Sequence, residues 1–374
     1  MGSAYTPGLT VSKDIVVRRT RRLPIKGEVL VKVGDKVEPN KAVARAMLPG
    51  LLQTVKVSDM LGVEAKEIKG YLQVKEGDGV SKGQLVAQTP GILNRWFKQS
   101  AICEFDGTVE SISELTGSML VREAPIPVDI SAYIQGSIAE IMDDEGAIVE
   151  TRGAMVQGIF GVGGERHGSI RVATSSPSEV LDVAHIKADD AGKILVGGSG
   201  VTQEALARAT EVGVIGIVVG GVKDSDLISF LGYDIGVAIT GQENIGLTLV
   251  VTEGFGYLNM ADRTFNLLKS IEGQSASING ATQIRAGVIR PELIAPNEAA
   301  TGDTHVATSG QDLGTGASIR IIREPYFGLL GTVTDLPAQL VVLESGTEVR
   351  VLKAKLETGE EVTVPRANIE IIAT

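Results

Sequence analysis

Cysteine, histidine and long apolar runs are all scarce in this chain. Its 374 residues include a single cysteine, Cys103, so one chain can form neither an internal disulfide nor a metal site built from cysteines. No apolar run approaches the roughly 20 residues of a membrane-spanning helix, and the N-terminus lacks the basic-then-apolar pattern of a leader peptide. The three histidines are isolated in sequence. These absences predict a cytoplasmic protein with no membrane span, no metal and no cofactor.

Aromatic residues are also few, whereas glycine is abundant. Aromatic side chains make up 4% of the chain and hydrophobic ones 43%, so the core has to be filled by valine, isoleucine, leucine and alanine. The 46 glycines are typical of tight turns and close backbone approaches. The composition therefore predicts a large core built from short strands joined by turns.

The charge balance disfavours nucleic acid as a partner. The net charge is −11, and an acidic chain is repelled by nucleic acid unless a basic patch is segregated. One such patch is present, at Arg18, Arg19, Arg21 and Arg22. The overall charge therefore disfavours nucleic-acid binding, and this basic cluster is the feature that speaks for it.

An internal repeat dominates the N-terminal third. VKVGDKVEPNKAVARA at 31–46 and VKEGDGVSKGQLVAQT at 74–89 are identical at seven of sixteen positions, and Asp106-Gly107 opens a related phrase. Each copy predicts a strand, a Gly-Asp turn and a second strand. The wording at 74–87 and 106–109 resembles the barrel-sandwich hybrid of biotinyl and lipoyl carrier domains, over about a quarter of the chain.

The chain departs from those carriers where they hold their modified lysine. A longer insert at 90–102 replaces the short hairpin, and Lys98 is its one lysine, beside Trp96 and Phe97. The resemblance therefore implies a structural copy of the fold without a prosthetic group. Covalent modification of Lys98 is the alternative.

The spacing of apolar residues changes in the middle of the chain. Apolar runs such as VIGIVVGG alternate with helical patterns, which is typical of a parallel sheet covered on both faces. We expect a multi-domain α+β protein with a β-rich barrel-sandwich hybrid, a Rossmann-like α/β domain and a C-terminal barrel. The predicted parts are a β-rich domain at 1–174, the α/β domain at 175–296, a linker or loop at 297–315 and the C-terminal module at 316–374.

Two places in the α/β segment suit a ligand. The glycine-rich turn Gly197-Gly198-Ser199-Gly200, with Thr202 after it, lies between a predicted strand and a predicted helix, where backbone N–H groups can hold an anion. It matches no Walker A loop and no dinucleotide fingerprint, so a simple tight turn is the alternative. Thr240 and Glu253 follow buried strands, and ligands of α/β sheets bind beyond strand carboxyl ends.

The C-terminal module resembles the KOW, SH3-like barrel of NusG-type factors and some ribosomal proteins. Residues 319–333 match the KOW core phrase, and the resemblance implies a binding turn at Arg323, Tyr326 and Phe327. The module holds six basic and eight acidic residues, which favours a protein partner over nucleic acid. Packing of the two aromatic rings in the barrel core is the alternative.

Three hypotheses of function follow, and no catalytic constellation is recognisable. The first is a non-enzymatic scaffold that self-associates into a homo-oligomer or a larger assembly. The second is a KOW-type accessory factor that binds RNA or a transcription or translation complex. The third is a regulator or enzyme that holds a nucleotide or an acyl phosphate in the central α/β domain.

Overall fold

Strands dominate the molecule. The computed structural model describes residues 9–90, 98–233, 241, 243, 245–283, 289–297, 314–321, 325–326, 329–337, 339–342, 348–356 and 359–372. Strands hold 48% of the described residues and helices 14%. The protein is therefore mostly β, and the prediction of an α+β class is wrong.

The strands up to residue 172 include both the shortest and the longest in the chain. In chain order they are β1 (Val11–Arg22), β2 (Glu28–Val29), β3 (Lys36–Val37), β4 (Ala42–Leu48), β5 (Leu52–Val55), β6 (Gly79–Val80), β7 (Leu85–Gln88), β8 (Ser100–Ile102), β9 (Gly107–Ser113), β10 (Ser118–Arg122), β11 (Ile126–Ser131), β12 (Gly136–Met142), β13 (Gly146–Gln157), β14 (Phe160–Val162) and β15 (Arg166–Val172).

The remaining strands fall into a middle group and a C-terminal group. The middle group is β16 (Val180–Leu181), β17 (Lys193–Val196), β18 (Gly200–Val201), β19 (Gly216–Val222), β20 (Thr248–Phe255), β21 (Ser275–Asn279) and β22 (Glu292–Pro296). The C-terminal group is β23 (Ser318–Ile321), β24 (Leu330–Asp335), β25 (Leu340–Val342), β26 (Glu348–Leu356), β27 (Glu361–Pro365) and β28 (Ile369–Ile372).

The helices within the described ranges are short. They are α1 (Val57–Leu61), α2 (Gln203–Val212), α3 (Asp224–Leu231) and α4 (Asp262–Ser270), with 3₁₀ turns at Ala65–Gly70, Val183–His185 and Arg366–Asn368. α2, α3 and α4 lie where the apolar spacing predicts them. The side chain of Thr202 accepts a hydrogen bond from the N–H of Ala205 and so caps α2, because threonine is a favoured residue at this position.

One mixed sheet of eleven strands organises the first 296 residues. Its order is β14-β20-β19-β17-β15-β21-β22-β13-β12-β3, with β1 on β13. The neighbours β15, β17, β19 and β20 are parallel, and the other pairs are antiparallel. Every residue of β19 is buried, because the sheet is covered on both faces there.

The prediction of a separate Rossmann-like α/β domain is wrong. The periodicity of residues 193–271 marks parallel strands and helices correctly, but it says nothing about what else joins their sheet. Antiparallel β21 and β22 extend the sheet, and β22 pairs with β13, which precedes the predicted boundary at 175. The two segments predicted as 1–174 and 175–296 therefore share one sheet. The apolar run IGVAITG at 235–241, which predicts a further strand, falls almost entirely outside the described residues.

The N-terminal repeat forms the same turn twice but in different sheets. Gly34 and Gly77 have φ of 88° and 89°, which glycine adopts without strain. The carboxylates of Asp35 and Asp78 accept the N–H groups of Lys32 and Lys75 at 2.8 and 2.9 Å. The first copy leads into β3 on the large sheet, whereas the second leads into β6 in a four-stranded sheet ordered β5-β10-β9-β6.

No closed barrel forms from the described strands. Near the N-terminus, β11-β4-β2 and β7-β8 are further small sheets, so the predicted barrel-sandwich hybrid is replaced by several open sheets. In the C-terminal module β25 and β27 both pair with β26, β26 pairs with β24, and β23 joins β24 to β28. No pairing among the described residues joins β28 to β25 or β27. The predicted SH3-like barrel is therefore wrong as a closed barrel, since alternation predicts strands but not closure.

A buried ion pair holds the N-terminal strands on the large sheet. The Nε of Arg19 on β1 donates to Glu292 Oε1 on β22 at 2.7 Å, and its Nη2 donates to the other oxygen. Tyr133 lies beside them with φ of 68°, and its hydroxyl donates to Glu292 at 3.3 Å. Burial raises the pKa of Tyr133 well above 10, and the nearby carboxylate of Glu292 raises it further. The phenol therefore stays protonated and remains a donor.

Replacing Glu292 by glutamine should lower the free energy of unfolding by about 2 to 3 kcal/mol. Its side chain is 8% exposed and that of Arg19 is 26% exposed, so the cost should fall below the roughly 3–5 kcal/mol of a fully buried pair. Urea unfolding followed by circular dichroism measures it.

The matched control is Glu150→Gln on the same sheet. Glu150 pairs with Arg18, which is 61% exposed, and a pair in contact with solvent contributes at most about 1 kcal/mol. Equal losses of unfolding free energy in the two variants would show that the Arg19–Glu292 pair stabilises the fold no more than an exposed pair does.

Candidate functional site

A cleft separates the large sheet from the C-terminal sheet. It lies where β20 ends and α4 begins, and strands β23, β24 and β26 form its other wall. A cavity of about 300 Å³ occupies the cleft, and a second of about 560 Å³ adjoins it. The residues shared by both cavities are Glu253, Ala261, Arg263, Arg320 and Leu330.

Glu253, near the end of β20, lines both cavities of the cleft. Its Oε2 lies 2.8 Å from Nη2 of Arg320 on β23, and the two side chains are 13% and 11% exposed. Its Oε1 accepts the N–H of Ala261 at 3.1 Å and the hydroxyl of Thr252 at 3.2 Å. Both carboxylate oxygens are therefore engaged, one with each side of the cleft.

The local sequence explains why this carboxylate points into the cleft. Strand β20 is buried from Thr248 to Thr252 and emerges at Glu253. Gly254 and Gly256 follow with φ of 148° and 100°, so the chain reverses towards α4. The residue before α4 is Ala261, whose side chain cannot cap the helix. From the strand, Glu253 accepts the N–H of Ala261 itself, which ties the carboxylate to the start of α4.

Cationic side chains line the smaller cavity from both walls. Arg263 belongs to α4, Arg320 to β23 and Lys355 to β26, and Glu253 is the one acidic side chain among the described lining residues. Arg263 also donates from Nη2 to the carbonyl oxygen of Val11 at 2.7 Å. The electrostatic field in the cavity therefore favours an anion.

A threonine of α4 also lines this cavity. Thr264 is 3% exposed and lies on the first turn of the helix. Its place at the cavity could not be expected from the sequence, because it lies on a helix face that otherwise packs in the core.

The apolar part of the cavity comes from strands of both sheets. Its members are aliphatic side chains that extend from the polar centre: Leu9, Val11, Ile319, Leu330 and Leu356. Two classes of contact therefore meet in one space, an anion-binding end and an aliphatic wall.

The predicted glycine-rich turn is packed tightly against neighbouring parts of the chain. A Cβ on Gly198 would lie 2.4 Å from the carbonyl oxygens of Ser176 and Glu179, and one on Gly200 would lie 2.5 Å from the ring of Tyr257. Gly197 is likewise packed, against Val219 and Leu181. Close packing thus accounts for these glycines.

Polar groups in this turn are occupied by the chain itself. The hydroxyl of Ser199 donates to the carbonyl oxygen of Ser178 at 2.8 Å, and its N–H donates to that of Glu179. Thr202 caps α2. The structure gathers residues 197–202 in one place, but none of them lines either cavity that contains Glu253.

Several of the predicted site residues lie outside the described part of the chain or away from the cleft. Thr240, Arg323 and Phe327 lie outside the described residues. Tyr326 is half-buried and packs against the C-terminal core, in line with the alternative of core packing. Lys98 is exposed and lies just before β8. Arg320 and Lys355 are not among the predicted residues, although their position between buried strand residues signals a face turned away from the core of the C-terminal sheet.

The basic cluster is neutralised by neighbouring carboxylates. Each of its four arginines forms a salt bridge with a glutamate, and the pairs are Arg18–Glu150, Arg19–Glu292, Arg21–Glu165 and Arg22–Glu145. Phosphates would have to compete with these glutamates, so the cluster is a poor footprint for nucleic acid.

The comparisons with known proteins give no family. No family model matches the chain, and no curated protein matches it. Within the described ranges no group of three or more histidine, cysteine, aspartate or glutamate side chains is arranged to hold a metal ion. None of the helices in that part of the chain has the length and hydropathy to span a bilayer.

The loop above the glycine-rich turn should make the protein sensitive to acid. Hydrogen bonds from the hydroxyl and N–H of Ser175, and a further one from His185, lower the pKa of Glu179 from 4.5 to about 2. A carboxyl with a lowered folded-state pKa contributes stability above its unfolded pKa and loses it as the pH falls. Wild-type protein should lose urea resistance from about pH 4.5 towards 2, and Glu179→Gln should lose less over that range.

The control for this prediction is Glu211→Gln on the exposed face of α2, which should keep the wild-type pH profile. Parallel profiles for wild type and Glu179→Gln would contradict the role given to Ser175 and His185.

Proposed function

We propose that this is a non-enzymatic binding protein in which a small anionic ligand occupies the cleft and holds the C-terminal sheet against the large sheet. The observation that carries the proposal is the smaller cavity beside Glu253 and Arg320, whose two walls are lined by Arg263, Arg320 and Lys355. Ligand sites are typically concave, largely apolar and equipped with a few convergent polar groups. The cleft has each of these features.

The chemistry of the cleft favours binding over catalysis. A general base needs a carboxylate that is available to a substrate proton. Both oxygens of Glu253 are engaged, with Arg320 on one side and with Ala261 and Thr252 on the other. Arg320 is likewise held, since its Nη1 lies 3.5 Å from the carbonyl oxygen of Thr252. Such fixed groups are suited to recognition.

The cleft differs in position from the glycine-rich turn of the third hypothesis. An anion-binding regulator remains supported, but at the end of β20 instead of at Gly197–Thr202, where the chain fills the space itself. The hypothesis of an RNA-binding accessory factor loses support because the arginines of residues 18–22 are paired with glutamates.

Arg320→Gln should weaken anion binding at least about tenfold, because a hydrogen bond to a charged group contributes about 1.5–3 kcal/mol. A thermal-shift screen of carboxylates and phosphorylated metabolites on wild type finds the ligand, and calorimetry compares the variants. Arg208→Gln on exposed α2 is the matched control and should bind like wild type. A screen without any anionic hit, or equal affinities in Arg320→Gln and wild type, would refute the proposal.

A specific surface favours self-association as a second function of a cytoplasmic scaffold. Met47, Leu51, Leu52 and Ile126 are 52%, 61%, 44% and 50% exposed. Leu51, Leu52 and Ile126 lie near the end of β4, because Ile126 pairs with Leu48 and residues 51 and 52 follow that strand, whereas Met47 is on the opposite face of the strand from Leu48. Clustered aliphatic exposure is typical of interaction sites, and a copy of the same surface would complete a two-fold homodimer.

The double variant Leu51→Glu/Ile126→Glu should shift the protein from oligomer to monomer in light scattering after size exclusion. Placing four like charges at a two-fold interface costs several kcal/mol, on the order of what mismatched charges cost at other interfaces. Leu115→Glu is the control, since Leu115 is 95% exposed in the β9–β10 turn. A wild-type monomer at high concentration would count against this function.

A further inference from the structure

We infer that Ser275 is a nucleophilic serine activated by His167, and that it accepts the acyl group of a small activated ester. The site goes beyond the anion-binding cleft, because neither side chain lines either of the cavities that Glu253 lines. Acylation of this serine modifies the chain once and needs no turnover. It is therefore a second property of the same non-enzymatic binding protein.

The hydroxyl and the imidazole are in direct contact. Ser275 Oγ lies 2.7 Å from Nε2 of His167. A base that takes the proton of a nucleophile has to lie within hydrogen-bond distance of it, and this pair meets that condition. Ser275 is exposed and His167 is half-buried, so a small molecule can reach the serine oxygen from solvent.

The pairing of β15 with β21 explains why these two side chains meet. In the antiparallel register His167 lies opposite Ser277, and Ser169 lies opposite Ser275. Residues opposite each other, and residues two apart on one strand, share a face of the sheet. His167 and Ser275 are therefore diagonal neighbours on one face. Such positions are about 7–8 Å apart, a span that a ring side chain can bridge.

Burial keeps the imidazole in the form that accepts a proton. Desolvation lowers the pKa of His167 below its ordinary value of 6.5, and the nearby carboxylate of Glu38 only partly opposes this shift. At neutral pH the ring is therefore uncharged and carries one proton. With that proton on Nδ1, the lone pair of Nε2 accepts the hydroxyl proton of Ser275.

The other two hydroxyls of this face have different roles. Ser277 is 1% exposed and donates to the carbonyl oxygen of Tyr133 at 2.6 Å, so its hydroxyl is occupied. Ser169 is half-buried and lies directly across from Ser275, in a pairing that brings Cβ atoms to about 4.5–5.5 Å. Its hydroxyl can donate to the oxygen that becomes negatively charged when Ser275 attacks a carbonyl carbon.

The acylation step balances with the ester as its one co-reactant. Oγ of Ser275 forms a bond to the acyl carbon while its proton moves to Nε2 of His167. The bond from that carbon to the leaving oxygen then breaks, and the leaving oxygen takes the proton from Nε2. The products are an ester on Ser275 and a free alcohol, with no oxidation or reduction.

Incubation of the full chain with p-nitrophenyl acetate, followed by peptide mass spectrometry, tests the inference. Wild type should carry an acetyl group on Ser275, and Ser275→Ala should lack it in that peptide. In His167→Ala the acetylation of Ser275 should be at least about a hundredfold slower, the lower end of what a positioned general base contributes. Added imidazole should restore part of that rate.

The matched control is Ser225→Ala near the exposed start of α3, which should acetylate Ser275 at the wild-type rate. Circular dichroism checks that each variant is folded. Equal rates of Ser275 acetylation in wild type and His167→Ala would overturn the inference, because Ser275 would then react like any exposed serine. Acetyl groups on other side chains alone, or no acetylation, would also overturn it. These results leave the cleft untouched, since its test is the anion screen with Arg320→Gln.

Discussion

The ion pair between Glu253 and Arg320 is the contact on which the architecture of the cleft depends. Among the described residues no strand pairing joins the C-terminal sheet to the large sheet, and the Arg320 side chain makes an ion pair and a contact with a carbonyl oxygen across the cleft. Removing two charges from water is costly, and such a pair is favourable only when further hydrogen bonds satisfy both partners. Glu253 has Ala261 and Thr252 as additional donors, and Arg320 has a carbonyl acceptor. The geometry is therefore fixed from both sides.

A second constraint lies in the continuity of the large sheet. β13 pairs with β1 along one edge and with β12 and β22 along the other, so one strand of twelve residues connects the N-terminal strands to the parallel centre. The Arg19–Glu292 pair and the hydroxyl of Tyr133 reinforce this junction. The end of β20 is thus held by a rigid framework, which is what a preorganised binding site needs.

Local features of the fold could be predicted from the sequence, and long-range ones could not. The Gly-Asp turns, the cap at Thr202 and the helices of the middle segment follow from residue types and spacing. The assignment of strands to sheets does not, because β13 and β22 meet only through pairing between residues far apart in the chain. Closure of a barrel also depends on long-range features, namely strand register and sheet curvature. The alternation of apolar and polar residues specifies neither.

The residues of the candidate site also separate into those that the sequence could predict and those that it could not. Glu253 could be placed by the rule that ligands bind beyond strand carboxyl ends. Arg320 and Lys355 could not, since their place at the cavity depends on how the C-terminal sheet docks. The glycines at 197–200 show the opposite case, in which an anion-binding pattern in the sequence is explained by tight packing against neighbouring loops. A turn with the residue spacing of an anion-binding motif can therefore have its binding space occupied by atoms of the same chain.

A double-mutant cycle on Glu253→Gln and Arg320→Gln tests the central claim most directly, with the free energy of unfolding of the C-terminal sheet measured by hydrogen exchange. Partners in direct contact should show a coupling energy of about 1–3 kcal/mol, so that the double variant loses much less than the sum of the two single variants. A coupling energy near zero would show that the two side chains act independently and that the sheets are held together by something else.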